Sequence, residues 1–128
     1  MGEVLSWGMS LNSSKTVLLS NPNCSKCCAA TSYLQSSGIE YSERRYLLQS
    51  LNRAELLELR SLLGRPVVEW TRTKEVEYKE LGLNRDAGDE AHIEAILAHP
   101  ILLERPILIH AGQAAIGRPT ENLAALFE

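Results

Sequence analysis

Residues 16–38 read TVLLSNPNCSKCCAATSYLQSSG, and this stretch decides the fold. It opens with the apolar run TVLL, which the turn sequence NPN follows, so the run predicts a short buried strand. A helix is expected next, because Cys27, Ala30 and Leu34 repeat at the i, i+3 and i+7 spacing of a single helix face. Cys24 therefore stands between a predicted strand and the first turn of a predicted helix.

A second strand and helix follow in the sequence. Residues 41–47 are β-prone with polar residues interleaved, which predicts a strand with one wetter face. Asn52, followed three residues later by Glu55, resembles a capping box, and the leucines behind it repeat at helical spacing until Gly64. The first half of the chain is therefore predicted to be β-α-β-α.

The rest of the chain is predicted to contain a helical segment, then a hairpin and a last helix. Residues 66–98 are predicted to be helical, with one helix over 75–83 and another that begins at an aspartate cap, Asp89. Residues 107–116 predict a hairpin of two short strands, and a terminal helix follows. A β-α-β half and a β-β-α half thus flank a helical insertion. This order matches an α/β fold of the thioredoxin-like, glutaredoxin type, in which helices flank a mixed four-stranded sheet.

The whole chain has the size and composition of one globular domain. Its 128 residues are 45% hydrophobic and 23% charged, and a chain of this length buries enough apolar surface to fold alone. Residues 15–128 are predicted to form that domain. Residues 1–14 are rich in serine, glycine and asparagine, and they are predicted to form a flexible extension.

Net charge and hydropathy exclude several functions. The formal net charge of -3 gives no basic surface for direct nucleic-acid binding. No apolar run approaches the roughly 20 residues that span a bilayer, and the first residues lack the pattern of a secretory signal. We therefore expect a cytoplasmic protein that does not associate with a membrane.

All the cysteines, Cys24, Cys27 and Cys28, are clustered in the loop and helix described above. They cannot tie together distant parts of a fold, so they indicate redox chemistry or a metal site. Zinc would need a second group of ligands, and the histidines are scattered without zinc-finger spacing, so no metal is expected.

A cysteine at the start of a helix is a candidate nucleophile, although Cys24 could instead be a small core residue. Unpaired backbone N–H groups and the helix dipole stabilise a thiolate there, and Lys26 adds a positive charge nearby. Cys24 and Cys27 form a Cys-x-x-Cys motif that allows a disulfide, but the apolar helix face also suits Cys27 as a structural thiol. Cys28 is expected to have a packing or incidental role.

Arg72, Arg105 and Arg118 are the basic residues of interest. The last two precede prolines at predicted strand or helix edges, and Arg72 stands at the start of an acidic stretch. A guanidinium presents a planar fork of donors that fits tetrahedral oxyanions, so several arginines beside a thiolate would form an oxyanion-binding thiol site. Taken singly, each arginine is more often a solvated surface charge.

Four collinear segments match the pattern of a known family. The segments are NPNCSK at residues 21–26, YKELGL at 78–83, HPILLERPI at 99–107 and GRPTE at 117–121. In these segments the chain resembles the glutaredoxin-coupled arsenate reductase family. Together they extend the resemblance over residues 15–127.

The resemblance implies a role for each matching residue. Cys24 matches the nucleophile that attacks arsenic and forms a covalent thiol-arsenate adduct. Arg72, Arg105 and Arg118 match the arginines that hold the oxyanion and the arsenical intermediates. Pro106 matches the cis-proline that thioredoxin-like folds place beside the active cysteine.

The resemblance also implies the reductants. Glutathione would attack the adduct as a co-substrate, and glutaredoxin would reduce the resulting mixed disulfide. Arsenite and the regenerated thiol would be the products, with no bound cofactor. Asn21 and Pro22 match the loop that shapes the site around the cysteine.

Two positions depart from the family pattern. Ser20 stands where some members carry a histidine that could tune the nucleophile. Cys27 is the second departure, because many members have a single cysteine in this loop. Two alternative functions therefore stay open: a redox-sensing transcription regulator similar to the Spx proteins, which bind RNA polymerase, and a general glutaredoxin-like thiol-disulfide oxidoreductase.

Overall fold

The computed structural model describes residues 16–127, and the extension predicted for residues 1–14 lies outside them. The described chain begins with strand β1, Thr16–Ser20, in which every residue is buried. Helix α1, Ser25–Ser36, follows it. The buried residues of α1 are the three on the predicted apolar face: Cys27, Ala30 and Leu34. The strand, turn and helix predicted around Cys24 are thus confirmed.

A mixed four-stranded sheet lies at the centre of the fold. Its other strands are β2 (Ser42–Arg45), β3 (Ile107–His110) and β4 (Gln113–Ile116), and the order across the sheet is β2-β1-β3-β4. β1 pairs in parallel with β2 and antiparallel with β3, and β3 pairs antiparallel with β4. This sheet, with helices packed against it, confirms the predicted thioredoxin-like α/β fold.

Further helices lie between the two halves of the sheet and after its last strand. The α-helices are α2 (Arg53–Leu63), α3 (Val76–Glu80) and α4 (Asp89–Ala98), and short 3-10 helices span Val67–Trp70, Pro100–Leu102 and Thr120–Phe127. Among the described residues, none of these helices has the length and apolar character needed to cross a membrane.

Two predicted elements are shorter in the structure. The helix predicted over 75–83 is α3, which ends before Gly82, a glycine in the left-handed region with a φ of 72°. The strand predicted over 41–47 is β2, which ends at Arg45. A turn begins there and buries Tyr46 completely.

Hydrophobic side chains pack on both faces of the sheet. Val17 and Leu19 lie in one cluster with residues of α2 and α4, whereas Leu18 lies in the other with residues of α1. This alternation follows from the two-residue period of a strand. Because β1 is covered on both faces, its end is firmly held, and that end leads directly to Cys24.

The predicted capping box begins α2. The Asn52 side chain accepts a hydrogen bond from the Glu55 N–H at 2.8 Å, and the Glu55 carboxylate accepts one from the Asn52 N–H at 2.9 Å. Glu55 also forms an ion pair with Arg44 of β2. The cap therefore ties the helix to the edge of the sheet.

Asn52→Ala should lower the free energy of unfolding by about 1 kcal/mol, because an N–H of the first helical turn loses its acceptor. Urea denaturation followed by circular dichroism measures the change. Ser61→Ala is the control, since Ser61 is an exposed residue of the same helix and its replacement should change stability by less than about 0.5 kcal/mol. An unchanged stability of Asn52→Ala would contradict the assigned cap.

The aspartate cap predicted for α4 is wrong. The residue that caps this helix is Gly88, and it makes no side-chain cap. The Asp89 carboxylate instead accepts a hydrogen bond from the Val67 N–H at 3.0 Å and pairs with Arg60. These partners lie far from Asp89 in sequence, so the local pattern could not reveal them.

Candidate active site

Three separate loops meet at one end of the sheet, where β1 and β4 end and β3 begins. Leu19, near the end of β1, pairs with Ile107 at the start of β3. Ile107 in turn pairs with Ile116, the last residue of β4. The loops that meet at this end of the sheet carry Cys24, Arg105 and Arg118.

Cys24 is the residue that caps helix α1. Its backbone is extended, and its N–H donates a hydrogen bond to the Asn21 carbonyl oxygen at 2.9 Å. The side chain is partly exposed, and the backbone N–H groups of Lys26 and Cys27 stabilise its sulfur. The structure thus places Cys24 where a helix N-terminus favours a thiolate.

These contacts lower the pKa of the Cys24 thiol. Burial alone would raise it, but the N–H of Cys27, the Arg105 side chain and the N–H of Lys26 outweigh burial and bring the pKa to about 7. A substantial share of Cys24 is therefore thiolate at neutral pH, and the thiolate is the attacking species.

The rate at which iodoacetamide alkylates Cys24 should rise with pH around a midpoint near pH 7, since only the thiolate reacts and its pKa is about 7. Mass spectrometry of the peptide that contains Cys24 measures this rate. The urea-unfolded protein is the control, and its midpoint should lie near an ordinary thiol pKa of about 8.5. Equal midpoints in the folded and unfolded protein would contradict the activation of Cys24.

The other two cysteines have different surroundings. Cys27 is buried, and its sulfur accepts a hydrogen bond from the Asn21 N–H at 3.3 Å. Burial, with the neighbouring Cys24, raises the pKa of Cys27 to about 11, so Cys27 is a thiol when Cys24 is a thiolate. Cys28 is exposed, and its sulfur lies 3.8 Å from the Pro22 carbonyl oxygen.

Arg118 makes a direct side-chain contact with the nucleophile. Its Nη2 donates a hydrogen bond to the Cys24 sulfur at 3.4 Å. Its Nε donates to the Arg105 carbonyl oxygen at 2.6 Å and lies 3.2 Å from Oε1 of Glu104. One edge of the guanidinium is thus held by the scaffold, and another edge faces the sulfur.

Glu104 holds the arginines together. Its Oε1 accepts hydrogen bonds from Nη1 of Arg72 at 2.9 Å and from the Arg105 N–H at 3.0 Å, besides its contact with Arg118. Arg72 also donates from Nε to Glu75 at 2.9 Å. Glu104 is a functional residue that the sequence patterns did not predict. Its place directly before Arg105 is the signal that could have found it, since clustered guanidiniums repel unless a carboxylate lies among them.

Arg105 has unpaired polar atoms in this site. Its Nε and Nη1 are buried and have no hydrogen-bond partner among residues 16–127. The hydroxyl of Tyr46 is also buried without one, and burial raises the pKa of Tyr46 to about 12 against the opposing effect of Arg105. A buried donor without a hydrogen-bond partner destabilises the fold, so the Arg105 guanidinium and the Tyr46 hydroxyl are suited to bind an oxygen acceptor. Sequence patterns gave no signal for Tyr46.

Two X-Pro bonds border the site. The Arg105–Pro106 peptide is cis, as the resemblance implied, and the Arg118–Pro119 peptide is cis as well. Gly117 lets the two loops approach closely, because a Cβ at this position would lie only 3.0 Å from Cγ of Pro106. The segments that carry Arg105 and Arg118 therefore pack directly against each other.

A cavity of about 330 Å³ opens beside the arginines. Three basic side chains, two glutamates and two threonines line it, so the cavity has a small excess of positive charge, and its guanidiniums suit an oxyanion. The lining residues are Thr71, Arg72, Thr73, Lys74, Glu75, Glu104 and Arg118. Within residues 16–127, no group of three or more His, Cys, Asp or Glu side chains is placed to hold a metal ion.

Comparison with known proteins identifies the family. The model of the ArsC family matches residues 19–126. This chain belongs to the ArsC family. An arsenate reductase of Neisseria meningitidis serogroup A is 43% identical over 108 residues, which cover 83% of this chain and 92% of that protein. An arsenate reductase of Haemophilus influenzae is 36% identical over 109 residues, which cover 84% of this chain and 94% of that protein.

A solved structure supports the same assignment. The arsenate reductase from Vibrio cholerae is similar to this ArsC-family chain with a TM-score of 0.82 and 38% sequence identity, over 87% of this chain and 96% of that one. The family resemblance carried by the four sequence segments is thus confirmed, together with the fold.

Proposed function

We propose that this ArsC-family protein is an enzyme that reduces arsenate to arsenite, with the Cys24 thiolate as nucleophile. The observation that carries the proposal is the contact of 3.4 Å between Arg118 and the Cys24 sulfur, beside a cavity that Arg72 also lines. A thiolate that attacks neutral disulfides has no need of clustered guanidiniums. A thiolate that attacks an oxyanion must overcome charge repulsion. The names of the relatives point to the same substrate.

The first step forms a bond between the Cys24 sulfur and arsenic. One arsenate oxygen leaves as water, and the sulfur takes its place on arsenic. Arg72, Arg105 and Arg118 bind the other oxygens and offset their negative charge as the thiolate approaches. The N-terminus of α1 adds backbone N–H donors on the same side.

Glutathione, the co-substrate, then attacks the Cys24 sulfur, and a sulfur–sulfur bond forms as the sulfur–arsenic bond breaks. Glutaredoxin reduces the mixed disulfide between Cys24 and glutathione, which regenerates the Cys24 thiol. Arsenic leaves as arsenite with the electron pair of the sulfur–arsenic bond, so no bound cofactor is required. This cycle suits the cytoplasm, where glutathione keeps thiols reduced.

NADPH oxidation in the presence of arsenate, glutathione, glutaredoxin and glutathione reductase tests the proposal. We expect oxidation that depends on arsenate and yields one arsenite per NADPH. Cys28→Ser is the matched control and should keep the parental rate, because Cys28 is exposed and its sulfur faces Pro22.

Two other results would contradict the proposal. Reduction of a small disulfide without dependence on arsenate would indicate a general thiol-disulfide oxidoreductase. Absence of any reductase activity, together with a reversible disulfide between Cys24 and Cys27, would indicate a redox-sensing regulator.

A further inference from the structure

The Cys27 thiol has no part in the steps above, yet it contacts the nucleophile. Its N–H donates a hydrogen bond to the Cys24 carbonyl oxygen at 3.1 Å. The Cys27 side chain is only 2% exposed and lies close enough to Cys24 for each thiol to shift the pKa of the other. Cys24 caps α1 and Cys27 lies three residues later, so the first helical turn brings both side chains to the same side, where a Cys-x-x-Cys motif can form a disulfide.

We propose that Cys27 resolves the thiol-arsenate adduct by attacking the Cys24 sulfur, which forms a Cys24–Cys27 disulfide and releases arsenite. This inference rests on the proposed function and names the second thiol of the same reaction. The sulfur–sulfur bond forms as the sulfur–arsenic bond breaks, and the electron pair of the broken bond stays on arsenic. Over both steps, arsenate and two thiols give arsenite, one disulfide and one water.

The surroundings of Cys27 set the order of the two attacks. In the resting site, burial and then the charge and hydrogen bond of Cys24 raise the pKa of Cys27. Formation of the adduct removes the Cys24 thiolate and with it these last two effects. The Asn21 N–H, 3.3 Å from the Cys27 sulfur, and the Arg105 charge remain to stabilise a Cys27 thiolate. Cys27 is thus held as a thiol until Cys24 has reacted.

Cys28 is not placed to compete for this role. It is exposed, and its sulfur faces the Pro22 carbonyl oxygen at 3.8 Å. Successive side chains of a helix are rotated by about 100° from each other. The Cys28 side chain therefore points to a different side of α1 from the Cys27 side chain.

Glutathione and glutaredoxin remain the reductants but act at a later step. They reduce the Cys24–Cys27 disulfide instead of attacking the arsenic adduct. The electrons therefore still come from glutathione, but the release of arsenite requires only the protein's own thiols.

A single turnover without added thiol tests this inference. The reduced protein, freed of reductant, is mixed with excess arsenate, and arsenite and remaining thiols are counted. We expect about one arsenite per protein and the loss of about two thiols. Trypsin cleaves after Lys26, so a Cys24–Cys27 disulfide joins two peptides that separate on reduction.

Two variants identify which cysteine forms the disulfide with Cys24. Cys28→Ser should behave like the parent protein, which leaves Cys27 as the partner of Cys24. Cys27→Ala should form the adduct but release no arsenite until glutathione is added. Circular dichroism checks that Cys27→Ala folds, and if it does not, the parent protein and Cys28→Ser decide the question between them.

Failure of the inference can be told apart from failure of the proposed function. A parent protein that releases no arsenite alone but turns over with glutathione would exclude Cys27 as the resolving thiol and leave the proposed function intact. A disulfide between Cys24 and Cys28 would do the same. A protein that reduces no arsenate under either condition would overturn both.

Discussion

Arsenate reduction should fall to the background level when Cys24 is replaced by serine. A serine hydroxyl is not ionised at neutral pH, so the attacking anion is lost although the shape of the side chain is nearly kept. Removal of a catalytic nucleophile lowers kcat by about 10⁴-fold or more. The NADPH-coupled arsenate assay measures the loss.

The same variant separates catalysis from folding. Cys24 is partly exposed at the N-cap of α1, and serine is a favoured N-cap residue, so Cys24→Ser should not lower the melting temperature. It should still bind arsenate in calorimetry, because the arginines are unchanged. Activity above about 1% of the parent would be far more than loss of a nucleophile allows, and Cys24 would then not be the nucleophile.

Arg118→Ala should lower kcat/KM for arsenate by about 10²- to 10³-fold, the range for losing one donor that stabilises a developing anion. The variant loses the hydrogen bond to the Cys24 sulfur and the one to the Arg105 carbonyl oxygen. Steady-state kinetics with varied arsenate measure the effect. Arg118→Lys should recover only part of the activity, because an ammonium lacks the planar fork of donors.

A second arginine provides the control for this loss. Arg65 is exposed and does not line the cavity beside Arg118, so Arg65→Ala should keep parental kinetics. If Arg118→Ala reduced arsenate at the parental rate while folding normally, the oxyanion would have to bind elsewhere.

Elements whose signals are local could be predicted from the sequence. The turn before Cys24 and the apolar face behind it agree on a strand followed by a helix, and Asn52 with Glu55 identifies the start of α2. The ends of β2 and α3 depend on where Tyr46 is buried and where Gly82 turns the chain. The end of β2 is decided by tertiary packing, which overrides local propensity, whereas the end of α3 follows from a glycine helix stop that is visible in the sequence.

The sequence predicted the nucleophile of the candidate site better than it predicted the arginines. The position of Cys24 at a helix start is a local property, and physical reasoning could therefore propose a thiolate. Arg72, Arg105 and Arg118 are distant in sequence, and they meet only because strand register and Glu104 bring them together. Their sequence neighbours single them out only weakly, and the family resemblance is what implies that they share one role.

The outer strand β2 has a consequence for the behaviour of the protein in a crowded solution. It is four residues long and reads SERR, and it lies at one edge of the sheet. An open edge can accept a strand from another chain, and short, charged edge strands discourage this addition. Arg44 is further held by its ion pair with Glu55. This edge therefore protects the protein against aggregation by sheet extension while its reactive cysteine stays open to solvent.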